Sequence, residues 1–490
     1  MIFLKSRWLK KTVKTLLVMA AGMLLANIII FVIYLNGRED LEVWHLADLD
    51  EEFTVDSEVA DFEAYLKLED RLFAQLDELV YAKVEPGDDT SINRYSRGSL
   101  SDPQRWSPNW NRSVEFTASR DAPSILLIHG MSDSPYSLHN MAERLHEEGA
   151  HVLVLRVPGH GTAPSGLLDV TWQDMAAAVR LAVAHLAKNN PGQPIHIVGY
   201  SNGAALGVHY ALSTLDDPQL PRVAGLVLIS PEIGLTRIAA LARWQARLGR
   251  VLGLEKLAWN TLLPEYDPFK YGSFAVNAGD VSYRITHEIQ RRITELTRSG
   301  SMDEMPPILA FSSVVDATVL APALVANLLN RVPANGNQLV LFDINHMAGL
   351  GPLLNWSPDA MVKALKEDPH PTYTLSLVTN RGDSGSGGGV EVHHWEPGKK
   401  EKTVDNLDTL WPEHVYSLTH IALPFPPQDP LYGGLPVQAS PGIQLGNIAM
   451  YGERGVLKIS AADQLRLRWN PFYAYLEDRA LEFMQLNSGR

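Results

Sequence analysis

The sequence predicts an α/β protein with a mostly parallel sheet, helices on both faces, an inserted helical cap and one N-terminal transmembrane helix. Three observations lead to this prediction. Short, fully apolar runs alternate with stretches of helical periodicity between residues 113 and 345, and this alternation is typical of parallel strands joined by crossover helices. A glycine-flanked serine lies between one such run and the helical stretch that follows it. An uncharged segment of 21 residues lies near the N-terminus.

The composition is that of a large globular protein and argues against a nucleic-acid partner. The chain has 490 residues, of which 46% are hydrophobic and 20% charged, and a formal net charge of −14. Binding to nucleic-acid phosphates needs a basic face, which this charge balance disfavours. The chain has no cysteine, which excludes disulfides, cysteine-based zinc sites and a thiolate nucleophile.

The N-terminal segment has the length and the flanks of a membrane anchor. Residues 1–14 carry five basic and no acidic side chains, and Thr15–Leu35 then runs for 21 residues without a charge. A helix of that length spans about 30 Å, the thickness of the hydrocarbon layer. The flank that follows, Arg38–Glu42, is mostly acidic, so the positive-inside rule predicts a cytoplasmic N-terminus and places everything after residue 36 outside the cytoplasm. A cleaved signal peptide is the alternative, but its apolar region runs about 7–15 residues and ends in a small-x-small site, and neither holds here.

Residues 36–112 are predicted to connect this anchor to the main domain, which we place at 113–490. Asp50–Tyr81 is acidic with apolar residues at helical spacing, which predicts an amphipathic helix packed on the main domain. Residues 85–112 contain turn-forming Pro, Gly and Asp and are predicted to be irregular.

Apolar runs predict the strands of the sheet: Ser124–Ile128, His151–Arg156, Ile195–Gly199, Ala224–Ile229, Pro307–Phe311 and Gln338–Phe342. Helical periodicity predicts the helices between them: Ser137–Glu148, Trp172–Lys188, Asn202–Ser213 and Leu320–Val332. A last helix at Pro471–Gln485 is assigned only to packing. Fully apolar strands separated by helices indicate a sheet that is covered on both faces.

The stretch from Pro231 to Met305 is too long for a single crossover and predicts an inserted cap at about 231–305. It carries two helical runs, Ile238–Leu252 and Ser282–Thr297. Its apolar side chains are suited either to lining an acyl pocket or to plain helix packing, and the sequence favours neither role. These side chains are Ile238, Leu241, Trp244, Leu248, Val251, Leu252, Leu254, Leu257, Ala258 and Trp259.

The stretch around Ser201 is the main candidate for chemistry. Residues 194–207 consist of a short apolar strand, a Gly-x-Ser-x-Gly turn and a helix that starts in small residues. A sharp strand–turn–helix of this kind, known as a nucleophile elbow, accepts only glycine beside the serine. It holds the hydroxyl at the carboxyl end of a buried strand, over a helix N-terminus that favours developing negative charge.

A nucleophilic serine needs an oxyanion hole as well as a base and an acid. The donors expected in this geometry are the backbone amide of Asn202 and one amide from the loop that directly follows the strand Ser124–Ile128. That loop is Ile128-His129-Gly130-Met131, so the amide of Met131 is the second donor. His129 is interpreted as a buried histidine that shapes the turn.

Two acids and two histidines are the candidates for the remaining roles. Asp316 lies at the end of the strand Pro307–Phe311, before the next helix, and Glu232 is the second choice for the acid. His346 follows Asp316 by 30 residues, and spacing alone favours it as the base. His420 follows by 104 residues, in a segment predicted as strand then loop, after an insertion at about 347–414 that holds two extended runs.

Five motifs that fall in order resemble the α/β-hydrolase superfamily, closest to its branch of monoacylglycerol lipases, carboxylesterases and serine aminopeptidases. They are Leu126–Leu145, Pro158–Thr162, Trp172–Asp174, Gly199–Gly203 and Val315–Asp316. The resemblance covers roughly residues 113–345, and the order Ser, Asp, His agrees with that superfamily. The tail Ser417–Pro427 resembles the segment that carries the base in those esterases, and a similar tail marks a membrane-anchored bacterial subgroup.

The resemblance implies an α/β-hydrolase fold and a lipase- or esterase-like serine hydrolase with Ser201, Asp316 and His420 as its triad. It favours His420 over His346 as the base. The substrate would be a small-molecule or lipid acyl ester, no metal or organic cofactor would be needed, and the main domain would lie in the periplasm, anchored in the bacterial inner membrane. An aminopeptidase, thioesterase or acyltransferase on the same fold is the alternative. A non-catalytic, membrane-tethered scaffold is the more distant one.

Overall fold

A ten-stranded sheet forms the centre of the protein, in the order β1-β3-β2-β4-β5-β8-β9-β10-β11-β12. The structure is a computed structural model that describes residues 2–234, 254–349, 351–367, 372–382, 388–436, 440–448 and 456–486. The strands are β1 (Val114–Phe116), β2 (Ser124–Ile128), β3 (His151–Leu155), β4 (Ile195–Tyr200), β5 (Gly225–Ile229), β6 (Trp259–Thr261), β7 (Phe274–Ala275), β8 (Ile308–Ser313), β9 (Asn337–Phe342), β10 (Tyr373–Asn380), β11 (Gly389–Trp395) and β12 (Lys402–Leu410). Strands β6 and β7 pair separately.

The middle of the sheet is parallel, as the apolar runs predict. Strands β3, β2, β4, β5, β8, β9 and β10 pair in parallel, whereas β1, β11 and β12 are antiparallel to their neighbours. Every residue of β2, β3, β4, β5 and β8 is buried. Strands covered on both faces lose the polar alternation of an open sheet, which explains the unbroken apolar runs. The predicted fold class is confirmed.

Helices cover both faces of the sheet. They are α1 (Ile2–Asn36), α2 (Val43–Leu46), α3 (Phe62–Leu79), α4 (His139–Glu147), α5 (Trp172–Asn189), α6 (Asn202–Thr214), α7 (Val276–Ser299), α8 (Ala321–Asn327), α9 (Asp359–Glu367), α10 (Ala461–Gln464) and α11 (Tyr473–Phe483). Buried residues of α5, α6 and α7 pack in one apolar core, and those of α4 and α11 pack in a second core across the sheet.

Two predicted helices are shorter than their patterns. The helix expected over Asp50–Tyr81 begins only at Phe62, because the side chain of Asp61 caps it by accepting a hydrogen bond from the backbone N–H of Ala64 at 2.9 Å. The helix expected to reach Val332 ends at Asn327, since Leu328 leaves helical geometry at φ −129° and ψ −67°.

The cap region contributes one long helix to the described chain. Helix α7 contains the predicted run Ser282–Thr297 and ends at Gly300, which adopts the left-handed conformation (φ 79°) common after helices. The predicted run Ile238–Leu252, with its apolar side chains, lies outside the described residues.

The insertion before His420 extends the sheet. Its two predicted extended runs form β10 and β11, and β12 completes the edge. The strand expected just before His420 is absent: the described segment 411–419 has no regular structure, and His420–Ala422 is a single 3-10 turn. This segment crosses the carboxyl ends of the strands. Its backbone carbonyls accept hydrogen bonds from Ser313 and Asn345, and not from the backbone of a neighbouring strand.

The segment before β1 is fixed to the same body by a fully buried arginine. The guanidinium of Arg156 donates to both carboxylate oxygens of Glu52 at 3.0 Å and to Glu69 at 3.0 Å. These carboxylates lie far from Arg156 in the sequence, so the ion-pair cluster joins three separate segments.

The residues that follow α1 contact the segment 256–260 of the cap region. Arg38 donates to the backbone carbonyls of Lys256 (2.6 Å) and Asn260 (3.3 Å), and Lys256 donates to the Arg38 carbonyl at 3.1 Å and to Asp40 at 2.7 Å. The chain that leaves α1 is therefore held directly against the main domain.

Candidate active site

The turn around Ser201 is so tight that its flanking glycines have no room for a side chain. A Cβ on Gly203 would lie 2.0 Å from the carbonyl oxygen of Ile128, and one on Gly199 would lie 2.4 Å from the Cα of Ala204. Both are collisions with backbone, which cannot move aside. The Gly-x-Ser-x-Gly spacing is therefore required by the packing of β4 and α6 against β2.

Ser201 itself has a strained backbone at the junction of β4 and α6. Its φ of 54° and ψ of −115° lie in a region that L-residues rarely adopt. Its backbone N–H donates to the Ile229 carbonyl at 2.9 Å, and its own carbonyl accepts from the Glu232 N–H at 3.1 Å. Contacts from the neighbouring strand β5 and the loop after it hold the conformation in place.

Ser201, His420 and Asp316 form one chain of hydrogen bonds. His420 Nε2 lies 3.0 Å from Ser201 Oγ, and His420 Nδ1 lies 2.9 Å from Asp316 Oδ2. An ionised carboxylate only accepts, so Nδ1 carries the proton and Nε2 is left to accept from the serine hydroxyl. All three residues are buried, with Ser201 8% exposed.

The segment that carries His420 is held by the loops it crosses. The hydroxyl of Ser313, at the end of β8, donates to the Leu418 carbonyl at 3.0 Å. On the other side, the hydroxyl of Thr419 donates to the Leu467 carbonyl at 2.6 Å. The C-terminal region therefore supports the histidine.

Asp316 is stabilised as a carboxylate. Burial raises its pKa, but the charge and hydrogen bond of His420 and the backbone N–H groups of Val319 and Thr318 outweigh burial, so the pKa lies below its ordinary value. Oδ1 accepts these two N–H groups at 3.0 and 2.8 Å, which leaves Oδ2 for the histidine.

His346 has a different partner. Its Nε2 lies 3.1 Å from Asp343 Oδ2, and its side chain is 44% exposed. The hydrogen bond that His346 donates to the Asp343 carboxylate raises the pKa of His346. The structure thus brings His420, and not His346, to Ser201 and Asp316.

The loop that contains Met131 passes against Ser201. A Cβ on Gly130 would lie 3.1 Å from the Cβ of Ser201. In the described part of the chain, no oxygen accepts from the backbone N–H of Met131 or of Asn202, and Asn202 is the first residue of α6, where N–H groups lack helical partners. Both N–H groups are free to bind an incoming oxyanion.

His129 fixes the peptide between Gly130 and Met131. The N–H of Val157 donates to His129 Nε2 at 3.1 Å, so Nδ1 carries the proton and donates to the Gly130 carbonyl at 2.9 Å. Burial and the neighbouring His160 hold the pKa of His129 well below its ordinary value. The histidine stays neutral and shapes the loop.

Glu232, the second choice for the acid, does not contact His420. Its Oε2 accepts from the Asn202 side chain at 3.0 Å. Burial raises the pKa of Glu232, and the hydrogen bonds from Asn202 and Ser282 oppose the rise. Glu232 therefore anchors the residue after the nucleophile.

Sequence patterns gave no indication of the charged groups around the site. Lys270 forms an ion pair with Asp133, two residues after Met131, at 2.6 Å. Arg466 and Arg468 line a cavity beside Tyr200. Among the described residues, no group of three or more His, Asp or Glu side chains is placed to hold a metal ion.

Sequence comparison finds relatives of the central part of the chain. The model of the family described as serine aminopeptidase, S33, matches residues 120–344, slightly less than half of the chain and ending before His420. A thermostable monoacylglycerol lipase from Bacillus sp. (strain H-257) is 29% identical over 125 residues, which are 26% of this chain. The match spans 47% of that lipase, about half of its length.

Solved structures have lower sequence identity to this chain but cover a larger share of it. One from a study of the metagenome-derived lipolytic enzymes LipS and LipT is 20% identical with a TM-score of 0.36, over 47% of this chain and 87% of that one. The monoacylglycerol lipase of Paleococcus ferrophilus is 18% identical with a TM-score of 0.35, over 47% and 88%. Over its central part, this chain is similar to the α/β-hydrolase branch of the S33 serine aminopeptidases and monoacylglycerol lipases.

Proposed function

We propose that this protein is a lipase- or esterase-like serine hydrolase that cleaves carboxylic esters through a covalent acyl-enzyme. The observation that carries the proposal is the hydrogen-bond chain from Ser201 through His420 to Asp316, with distances of 3.0 and 2.9 Å. A nucleophile, a base and an orienting acid within bonding reach are the requirements of acyl transfer. The lipase match supports the choice of esters.

The reaction follows from the positions of the groups. His420 takes the proton of Ser201 as Oγ attacks the ester carbonyl, and the amides of Met131 and Asn202 bind the oxyanion. His420 returns the proton to the departing alcohol. Water then attacks the acyl-enzyme with the same histidine as base, and Asp316 stabilises the imidazolium in both halves.

A large apolar cavity is suited to the acyl chain. It has a volume of about 770 Å³ and lies between the starts of α5 and α7 and the turn at 255–259, with Trp172, Trp259 and Val281 in its wall. Pockets for small ligands commonly have about 300–1,000 Å³.

We also propose that α1 anchors the protein in the bacterial inner membrane by a single pass, with a cytoplasmic N-terminus and a periplasmic hydrolase domain. Within Lys11–Asn36 of α1, the most apolar window of 18 residues has a mean hydropathy of 2.8, and none of that window is buried in the protein. The basic residues before the apolar stretch and the acidic residues after it set the orientation.

An aminopeptidase is the second candidate, because the matching family is described by that activity. The bond that is cleaved decides between the two. A panel of ester, thioester and aminoacyl substrates with matched acyl groups separates them.

The test uses Ser201→Ala in the full chain. We expect the variant to keep its fold by circular dichroism, to lose hydrolysis of short p-nitrophenyl esters and to lose labelling by a fluorophosphonate probe. Persistent labelling would show that another residue is the nucleophile, and a wild-type protein inert to both reagents would favour the scaffold.

A further inference from the structure

A second, smaller cavity lies beside the triad. It has a volume of about 160 Å³, and its wall includes Tyr200, which precedes Ser201, and Ile421, which follows His420. The other walls come from residues 263–272 and 459–468. We call this space the polar cavity, because charged side chains form much of its wall. Its two arginines, Arg466 and Arg468, lie outside the matched family segment.

Arg468 brings a buried positive charge to the polar cavity without an ion-pair partner. The residue is 7% exposed, its Nε has no hydrogen-bond partner, and its other described contact is a long hydrogen bond of 3.4 Å to the hydroxyl of Tyr266. Among the described residues, no carboxylate lies within 4.0 Å of Arg468 or of Arg466, the second arginine in the wall. A buried, unpaired cation is costly, so an anion in this cavity would stabilise it.

The acidic residues of the wall are already occupied or solvated. Asp133 is paired with Lys270 at 2.6 Å. Asp267 accepts two hydrogen bonds from the Tyr432 hydroxyl, at 2.8 and 2.7 Å, and attracts the buried guanidinium only from beyond ion-pair distance. Asp463 is exposed to solvent at the rim. The unsatisfied charge in the cavity is therefore positive.

We propose that the polar cavity binds an oxyanion group, a phosphate or a carboxylate, on the alcohol part of the ester, with Arg468 as its main ligand and Arg466 at its rim. This inference rests on the proposed ester hydrolysis. His420 returns the proton to the alcohol oxygen, and the residue next to it lines the cavity, so the alcohol part is the half that reaches this space. The apolar cavity remains for the acyl chain.

The test compares three butyryl esters on the full chain in detergent: neutral 1-butyrylglycerol, 1-butyrylglycerol 3-phosphate and the butyryl ester of glyceric acid. Arg468→Gln is expected to lower kcat/KM for an anionic ester at least tenfold more than for the neutral one, mainly through KM, because a charge-assisted hydrogen bond is lost. Arg468→Lys should recover part of the loss. The anionic ester with the larger loss identifies phosphate or carboxylate as the group recognised.

Arg298→Gln is the matched control, since Arg298 is exposed at the far end of α7. Arg298→Gln should leave kcat/KM unchanged for all three esters. If Arg468→Gln does not fold, Arg466→Gln takes its place, with an expected relative loss of at least threefold. Equal effects on all three esters would overturn the proposal.

A binding measurement separates this proposal from the proposed function. Inorganic phosphate should raise the Tm of Ser201→Ala and should not raise that of the Ser201→Ala, Arg468→Gln double variant. Stabilisation by phosphate that does not depend on Arg468 would count against this cavity as the anion-binding site. Absence of turnover with all three esters, together with absence of probe labelling, would count against ester hydrolysis alone.

Discussion

His420 Nε2 lies 3.0 Å from Ser201 Oγ, although 219 residues separate the two in the chain. The contact exists because the segment before His420 returns across the carboxyl ends of β8 and β9 after the chain has added three strands to the sheet. The position of His420 beside Ser201 therefore depends on the path of this segment over the ends of β8 and β9.

Replacement of the two candidate histidines by alanine should change the activity to very different extents. We expect His420→Ala to lower kcat for p-nitrophenyl butyrate by about 10⁴-fold or more, because a serine without its base is a weak nucleophile. His346→Ala should stay within about twofold, since His346 pairs with Asp343 at 3.1 Å. Steady-state kinetics on both variants checks this, and a large loss in His346→Ala would refute the assignment.

The buried cluster around Arg156 should contribute strongly to stability. Arg156→Leu is expected to lower the free energy of unfolding by roughly 3–5 kcal/mol, because it leaves Glu52 and Glu69 buried and unpaired. The exposed pair of Arg71 and Glu51, at 2.9 Å, is the control, and Arg71→Leu should change stability by about 1 kcal/mol or less. Denaturant titration followed by tryptophan fluorescence measures both, and similar losses in the two variants would contradict the prediction.

Glu265 should make the fold less stable as pH rises from about 4.5 to 7. Burial raises its pKa to about 7, against the opposing effect of Arg94 and the N–H groups of Gly272 and Ser273. The folded state holds a proton that the unfolded state releases near pH 4.5, so stability from this group is present below that pH and is lost through pH 7. The shift corresponds to roughly 3 kcal/mol.

Comparison with Glu265→Gln isolates this contribution. Unfolding free energies of wild type and variant, measured at pH 5 and pH 8, should differ in their pH dependence, with the wild type losing more stability on going to pH 8. Parallel pH dependence in the two proteins would mean that Glu265 titrates normally.

The absence of native cysteine permits a direct test of membrane topology. We expect Ser299→Cys, an exposed position at the end of α7, to react with a membrane-impermeant maleimide in cells whose outer membrane is permeabilised. Ser6→Cys should react only after lysis. The reverse pattern would invert the orientation, and loss of the first residues from the mature protein, detected by mass spectrometry, would indicate a cleaved signal peptide.

Local patterns predicted Ser201 and Asp316, while His420 required more than local information. A strand–serine–helix turn and an acid after a strand are each encoded within about a dozen residues. The base lies beyond an insertion of three strands, and neither periodicity nor spacing records where such an insertion returns; only the resemblance of its tail favoured His420. The buried charge of Arg468 left no pattern at all, because burial of a polar residue depends on contacts distant in sequence.

On the proposed function, the order of the chain would also delay activity during synthesis. The nucleophile and the acid are made long before residue 420, and the support from Leu467 comes later still. A ribosome-bound or partly exported chain therefore carries a serine without its base. On the proposed function, ester cleavage would begin only after nearly the whole polypeptide has been made, and a protease cut between β9 and β12 that releases the tail would abolish it.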